Sequence, residues 1–242
     1  MHKTLFLPGA SGSASFWRPA AEHARLEGVF FGWPGLGEEP PHPDINEIDD
    51  LVTLVAREIT EPVNIIAQSM GGVIALKLAL AFPEMVRGLV LAVTSGGVPV
   101  ADLGGSNWRS NYFAAFPNAA KWIAAPVNDL SSQIPSIKAP ALLLWGDADP
   151  ISPVAVGERL LALLPNARLR VFPGADHDLA KRGHSIGCSQ DNAKGEPSKN
   201  ATNSVRGRSS GESIHDKHFF FVSATVPVSQ RHFIHDKSAK IY

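Results

Sequence analysis

The sequence predicts an α/β protein: a mostly parallel sheet with helices on both faces and a small helical cap. Three observations predict it. Short apolar or β-branched runs alternate with stretches of helical period from residue 4 to residue 172. Several of those runs end in compact turns that carry polar side chains, as at Ser69, Asp149 and His177. Residues 96–135 interrupt the alternation with an aromatic-rich insertion.

The elements follow in order. Residues 4–7 read as the first strand, entered directly after Met1-His2-Lys3. The loop Pro8-Gly9-Ala10-Ser11-Gly12-Ser13-Ala14-Ser15 is built of small residues, so its backbone can approach a ligand closely. It lacks the Gly-Lys-Ser/Thr and G-x-G-x-x-G patterns of phosphate-binding loops, and Phe16-Trp17 after it suits helix packing. Residues 29–31 form a short strand followed by Gly32-Trp33-Pro34-Gly35-Leu36-Gly37. Within residues 46–59, Ile48, Leu51, Val52, Leu54, Val55 and Ile59 recur at helical spacing. The run Pro62-Val63-Asn64-Ile65-Ile66 is a strand, residues 73–81 a helix closed near Pro83, and residues 87–93 the next parallel strand. Residues 139–145 are a buried strand introduced by proline. Ser152-Pro153 is expected to cap a helix over 154–164, and residues 168–172 alternate as a strand.

The segment Ala67-Gln68-Ser69-Met70-Gly71-Gly72 joins a strand to a helix through a turn so sharp that it needs small neighbours. Ala67 and Gly71 supply them on either side of Ser69. The turn lifts the hydroxyl to a helix N-terminus, where partial positive charge favours a developing oxyanion. This segment resembles the nucleophile elbow of the α/β-hydrolase superfamily, G-x-S-x-G, with Ala67 for the first glycine and Gln68 where histidine is frequent. That superfamily orders its triad Ser, acid, His. Gly146-Asp147-Ala148-Asp149-Pro150 and Pro173-Gly174-Ala175-Asp176-His177 look like its acid and histidine loops.

The resemblance implies Asp149 as the acid, with Asp147 as its rival; an aspartate there also suits a turn. Asp176 and Asp178 are expected to be loop or cap residues. The implied roles are Ser69 as nucleophile, His177 as general base and then acid, and Asp149 as the group that orients the imidazole. The Met70 amide is the first implied oxyanion donor. Pro8-Gly9-Ala10 stands where the family has His-Gly-x, making the Ala10 amide the second. Gly32 replaces the aspartate of an Asp-x-Pro-Gly-x-Gly run. These motifs together span residues 4–177.

The family inserts its cap where residues 96–135 fall. Trp108, Tyr112, Phe113, Phe116 and Trp122 there have two readings: they pack the cap onto the core, or they line an apolar pocket for an acyl or aryl group. The activity implied is hydrolysis of carboxylic esters of small or medium acyl groups, with no cofactor and no metal. C–C bond hydrolases, thioesterases and perhydrolases share the triad, and a slow-turnover ligand receptor is the alternative of another class. The cap holds few charged residues, Asp102, Arg109, Lys121 and Asp129, which favours a neutral substrate.

The chain of 242 residues, 44% hydrophobic and 19% charged, suffices for one α/β domain with a large core. A net charge of -1, with lysine and arginine scattered, argues against nucleic acid as a partner. No apolar run is long enough to span a membrane, and no leader pattern is present, so the expected location is the cytoplasm. A single cysteine, Cys188, excludes an intrachain disulfide.

The expected core covers residues 1–183. The family's first hairpin is expected to be missing, and its final helix is cut short: Leu179-Ala180-Lys181-Arg182 begins one and Gly183 stops it. Residues 184–242 read as an atypical tail. Its first part is polar and linker-like, 219–228 is strand-like, and Ile-His-Asp-Lys recurs at 214–217 and 234–237. Five of the nine histidines fall there (His184, His215, His218, His232, His235) without the ligand spacing of a metal finger. The tail is expected to be foreign to the parent fold, and it or a second subunit is expected to cover sheet surface left open by the missing helix.

Overall fold

A computed structural model describes residues 2–182. The tail, with its strand-like run, repeat, histidines and Cys188, lies outside the described residues. The elements are β1 (Lys3–Leu7), α1 (Arg18–Ala24), β2 (Gly28–Phe30), α2 (Ile48–Ala56), β3 (Val63–Gln68), α3 (Met70–Ala81), β4 (Val86–Ala92), α4 (Arg109–Ala115), β5 (Ala141–Gly146), α5 (Val154–Leu163), β6 (Ala167–Phe172) and α6 (Leu179–Arg182). Between β4 and β5, α4 is accompanied by 3-10 turns at Ala101–Leu103, Lys121–Ala124 and Ile134–Ser136.

The six strands form one sheet in the order β2-β1-β3-β4-β5-β6, and every pairing is parallel. Parallel strands need crossovers, and right-handed crossovers decide which face each helix covers. The step from β1 to β2 runs opposite to all later steps, so α1 lies on one face while α2, α3 and α5 lie on the other. Accordingly α2 packs on α3, and α1 meets α6. The chain reverses direction between β1 and β3, and the carboxyl ends flanking such a switch point form the crevice where open α/β sheets bind ligands.

Register aligns those carboxyl ends. Leu7 stands opposite Ala67, Gln68 opposite Ala92, Ala92 opposite Leu144, and Gly146 opposite Phe172. The loops after five strands therefore open at one level. The central strands are apolar on both sides: Leu5, Leu7, Ile65, Ala67, Leu91 and Leu143 are fully buried on one, and Phe6, Ile66 and Ala92 are buried on the other. Each such leucine or isoleucine contributes about 1.5–3 kcal/mol. Helix α3 is wrapped by core on most sides, burying Val73, Ile74, Leu76 and Leu78. Its Lys77 reaches Asp49 of α2. Asp50 closes the start of α2, its carboxylate accepting from the Glu47 amide at 3.1 Å.

Two local expectations are corrected. Helix α3 begins at Met70, directly after Ser69, rather than at residue 73. Ser152 does not cap α5. Pro153 is the capping residue, and the Ser152 hydroxyl donates instead to the Thr94 carbonyl at 3.2 Å. That partner is 58 positions away, and burial forces the hydroxyl to find an acceptor wherever one lies.

Candidate active site

Ser69 sits between β3 and α3 at φ +50°, ψ -120°. Non-glycine residues rarely adopt positive φ, and such strain persists only where the surroundings over-determine it. Here the Ser69 amide donates to the Ala92 carbonyl at 3.0 Å. The Ser69 carbonyl accepts from the Gly72 amide at 3.0 Å and from the Thr94 hydroxyl. Val93, fully buried, is also at positive φ (+42°), and its amide donates to the Leu144 carbonyl at 3.0 Å. A side chain at Gly72 would begin 2.4 Å from the Thr94 hydroxyl, and one at Gly71 would begin 2.5 Å from the Pro8 carbonyl. Both glycines are what allow α3 to start this close to the neighbouring strand ends.

The loops after β5 and β6 bring two further predicted residues to Ser69. His177 Nε2 lies 2.9 Å from Ser69 Oγ, and His177 Nδ1 lies 2.8 Å from Asp149 Oδ2. The other carboxylate oxygen, Oδ1, accepts from the amides of Ile151 (2.8 Å) and Ser152 (3.1 Å). An ionised carboxylate only accepts, so the imidazole proton belongs on Nδ1 and Nε2 is left to accept from the serine hydroxyl. The Asp149 side chain is fully buried and that of His177 is 21% exposed, so the imidazole reaches the surface while its carboxylate partner lies in the interior.

Asp147 does something else. Its Oδ1 accepts from the Gly174 amide at 2.6 Å, tying the two loops together. Asp176 accepts from the Asp178 amide at 3.0 Å, a local turn. Gly146 permits the approach of the loops, since a Cβ there would fall 2.1 Å from the Ala175 carbonyl.

The loop after β1 is fixed by its carbonyls. Three fully buried tryptophans each donate an indole N–H to the backbone near the site: Trp17 to Leu7 (2.9 Å), Trp33 to Pro8 (3.0 Å) and Trp145 to Ser152 (2.9 Å). The Gly9 carbonyl accepts from the Gly12 amide (3.1 Å), and the Gly12 carbonyl from the Trp33 amide (2.8 Å). This anchors the segment in which Gly9 lies against Ser69: a Cβ on Gly9 would fall 3.1 Å from the Ser69 Cβ. Met70 is the first residue of α3, so its amide has no acceptor inside the helix and stands at the positive end of the helix dipole.

The cap aromatics gather around one of their number. Tyr112 meets Trp108 (5.5 Å between ring centroids), Phe113 (5.5 Å) and Phe116 (5.2 Å). All four are half-buried, and Trp108, Tyr112 and Phe113 pack against the core. The indole N–H of Trp122 is buried with no hydrogen-bond partner among the described residues. A separate cleft lined by Arg18, Leu26, Gly28 and Phe30 lies at the outer edge of the sheet, toward the amino end of β2 and away from the strand ends that carry Ser69. Among the described residues no three His, Cys, Asp or Glu side chains gather as a metal group, and no helix is long and apolar enough to cross a membrane.

Two residues at the site escape sequence reasoning. Buried Gln68 donates from Nε2 to the His177 carbonyl at 3.2 Å, 109 positions along the chain. A Cβ on Gly9 would fall 2.2 Å from Gln68 Oε1, so the same side chain lies against the loop after β1. Thr94 clamps the Ser69 carbonyl and accepts from the Gly96 amide at 2.9 Å. For Gln68 the only signal is its polarity at the end of an otherwise apolar strand; Thr94 carries none.

Comparison with known proteins agrees with this architecture. The model of the alpha/beta hydrolase family matches residues 4–133, more than half of the chain, including Ala10, Ser69 and Met70. A 2-hydroxy-6-oxononadienedioate/2-hydroxy-6-oxononatrienedioate hydrolase of Paraburkholderia phymatum is 28% identical, over 70% of this chain and 77% of that protein. Among solved structures, a thermophilic esterase from Thermogutta terrifontis superposes with a TM-score of 0.57 at 20% identity, covering 77% of this chain and 86% of its own. A monoacylglycerol lipase from Paleococcus ferrophilus gives 0.54 at 20% identity, with 72% and 85% covered. Six parallel strands sandwiched by helices, an elbow at the end of the third and a family match over most of the elements that build it make this chain a member of the α/β hydrolase family, with hydrolysis as its reaction class.

Proposed function

We propose that the chain is a serine hydrolase that cleaves carboxylic esters of small or medium acyl groups through an acyl-enzyme. The observation that carries this reading is the unbroken hydrogen-bonded line from Ser69 through His177 to Asp149. In the first half-reaction Ser69 Oγ bonds to the ester carbonyl carbon while its proton passes to His177 Nε2. The carbonyl oxygen becomes an oxyanion, held by the Ala10 and Met70 amides. The C–O bond to the alcohol then breaks, and His177 returns the proton to the departing alkoxide. Water, deprotonated by His177, next attacks the acyl carbon; Ser69 leaves and recovers the proton. Asp149 keeps Nδ1 protonated throughout and stabilises the imidazolium.

A neutral ester suits the cap. Its cations are engaged with rings and carbonyls: Arg109 lies 5.2 Å over Trp108 and donates to the Ala124 carbonyl, and Lys121 lies 4.4 Å over Phe113. A second reading, a C–C bond hydrolase, is favoured by the 28% identity to the Paraburkholderia phymatum protein, whose substrate is by name a diacid.

Hydrolysis of p-nitrophenyl esters from acetate to laurate, measured for the intact chain and Ser69→Ala, tests the first reading. Turnover abolished by the substitution is expected, with the optimum chain length reporting the pocket. Faster turnover of a vinylogous diketone acid than of any ester would instead establish the second.

A further inference from the structure

Tyr112 is the point where the cap touches the loop after β1. Its hydroxyl donates to the Ala10 carbonyl at 2.8 Å and accepts from the Gly37 amide at 3.1 Å. Both lone-pair and proton functions of the phenol are thereby spent on backbone, from a side chain 102 positions away from Ala10. Gly37 is itself constrained: it sits at φ +57°, and a Cβ there would fall 1.8 Å from the Ser11 carbonyl. One hydroxyl thus joins helix α4, the turn after β2 and the loop that carries Ala10. Four other carbonyls of that stretch are held without the cap, those of Leu7 and Pro8 by Trp17 and Trp33 and those of Gly9 and Gly12 by backbone amides. The Ala10–Ser11 peptide, by contrast, is fixed from the cap.

Resting on the reading of Ser69 as nucleophile, we infer that Tyr112 is a positioning residue: its hydroxyl sets the Ala10 peptide so that the Ala10 amide meets the oxyanion, and it links the seating of the cap to the assembly of the oxyanion site. The physical reason is that an oxyanion donor is effective only when oriented in advance, and a loop of small residues has little stiffness of its own. With the Ala10 carbonyl released, the Ala10–Ser11 plane can rotate and the Gly9–Ala10 plane, which carries the Ala10 amide, is left to the bond from the Gly12 amide to the Gly9 carbonyl, so the donor is held less firmly and the loss is felt in the transition state rather than in substrate binding. Burial pushes the Tyr112 phenol above its ordinary pKa, outweighing the opposing effect of the Gly37 amide, so the hydroxyl keeps the proton it donates across an ordinary assay range.

The test is Tyr112→Phe, which keeps the ring contacts with Trp108, Phe113 and Phe116 and removes the hydroxyl. Two readouts are taken at a temperature where both proteins are folded: kcat and KM for p-nitrophenyl acetate, and the rate of covalent labelling by a fluorophosphonate. In labelling, the Ser69 Oγ–P bond forms, P–F breaks, fluoride leaves and His177 takes the serine proton. The expected result is a fall of about tenfold in kcat and in labelling rate with KM changed less than about twofold.

Equal labelling rates in the two proteins, or a rise in KM at unchanged kcat, would overturn the role of Tyr112 and leave Ser69 as nucleophile. Labelling of the parent without ester turnover would sink only the ester, and the ratio of labelling rates would still decide on Tyr112. A folded parent that is never labelled at Ser69 overturns both.

Should Tyr112→Phe not fold, the unsubstituted chain decides. Phosphonylated Ser69 places an oxygen on the Ala10 amide, and coupling between sites is reciprocal. Hydrogen exchange of the Gly37 amide is then expected to slow several-fold on labelling; unchanged exchange contradicts the link.

Discussion

Two aspartates two positions apart show how environment assigns chemistry. Asp149 has one oxygen on His177 and the other on two amides, so both its oxygens are engaged and its carboxylate is held in one orientation. Asp147 accepts from the Gly174 amide through Oδ1, a bond that an asparagine oxygen makes equally well. Asp149→Asn is therefore expected to lower kcat for a p-nitrophenyl ester by about 10⁴-fold, because the amide favours the wrong imidazole tautomer. Asp147→Asn is expected to stay within about threefold of the parent, its hydrogen bond being retained.

Gln68 is a third case at this scale. Gln68→Leu removes the donor to the His177 carbonyl, and a loss of about tenfold in kcat at nearly unchanged KM is expected from a loosened base. Ser69, Asp149 and His177 are legible as candidates because each stands in a compact turn at a strand end with a local pattern. Gln68, Thr94 and Ser152 are not, because their partners lie 109, 25 and 58 positions away and no local pattern encodes such pairs.

At the scale of elements, close approach of backbone is the recurring device. Helix α3 starts directly after Ser69 only because Gly71 and Gly72 present no side chain to Pro8 and Thr94. Gly72→Ala places a methyl group 2.4 Å from the Thr94 hydroxyl and is expected to cost about 1–3 kcal/mol, read as a fall in thermal or denaturant midpoint. Trp33→Phe leaves the buried Pro8 carbonyl without its indole donor and is expected to cost a further few kcal/mol at most, about 1–3 for the unpaired carbonyl. The strands themselves are read within a residue or two from apolar runs, because strands buried on both faces leave no other composition available. Helix α2 is shorter than its periodicity suggests: Asp50 fixes its start, and after Ala56 the amides of Glu58 and Ile59 bond only three residues back. The cap is the least legible part. Its aromatics announce a cluster, but that one of them hydrogen-bonds the loop after β1 depends on how the cap docks, which composition does not encode.

For the molecule as a whole, the described residues already close a core: the sheet's central strands are buried on both faces between α1 and α6 on one side and α2, α3 and α5 on the other. We propose that residues 1–183 are the folding and functional unit. A chain ending at Gly183 is expected to keep its melting midpoint and its ester turnover; an insoluble or inactive product would assign the remaining residues a part in the fold. The order of strands is set by handedness and register rather than by any one motif, and it is this order that gathers loops from β1, β3, β5 and β6 into a single crevice.

The most direct measurement is the mass of the protein quenched during turnover of a p-nitrophenyl ester. One acyl group per chain, located on the peptide containing Ser69 and absent from Ser69→Ala, is the expected result. Steady hydrolysis with no acylated Ser69, unaffected by Ser69→Ala, would contradict the assignment of this serine as the nucleophile.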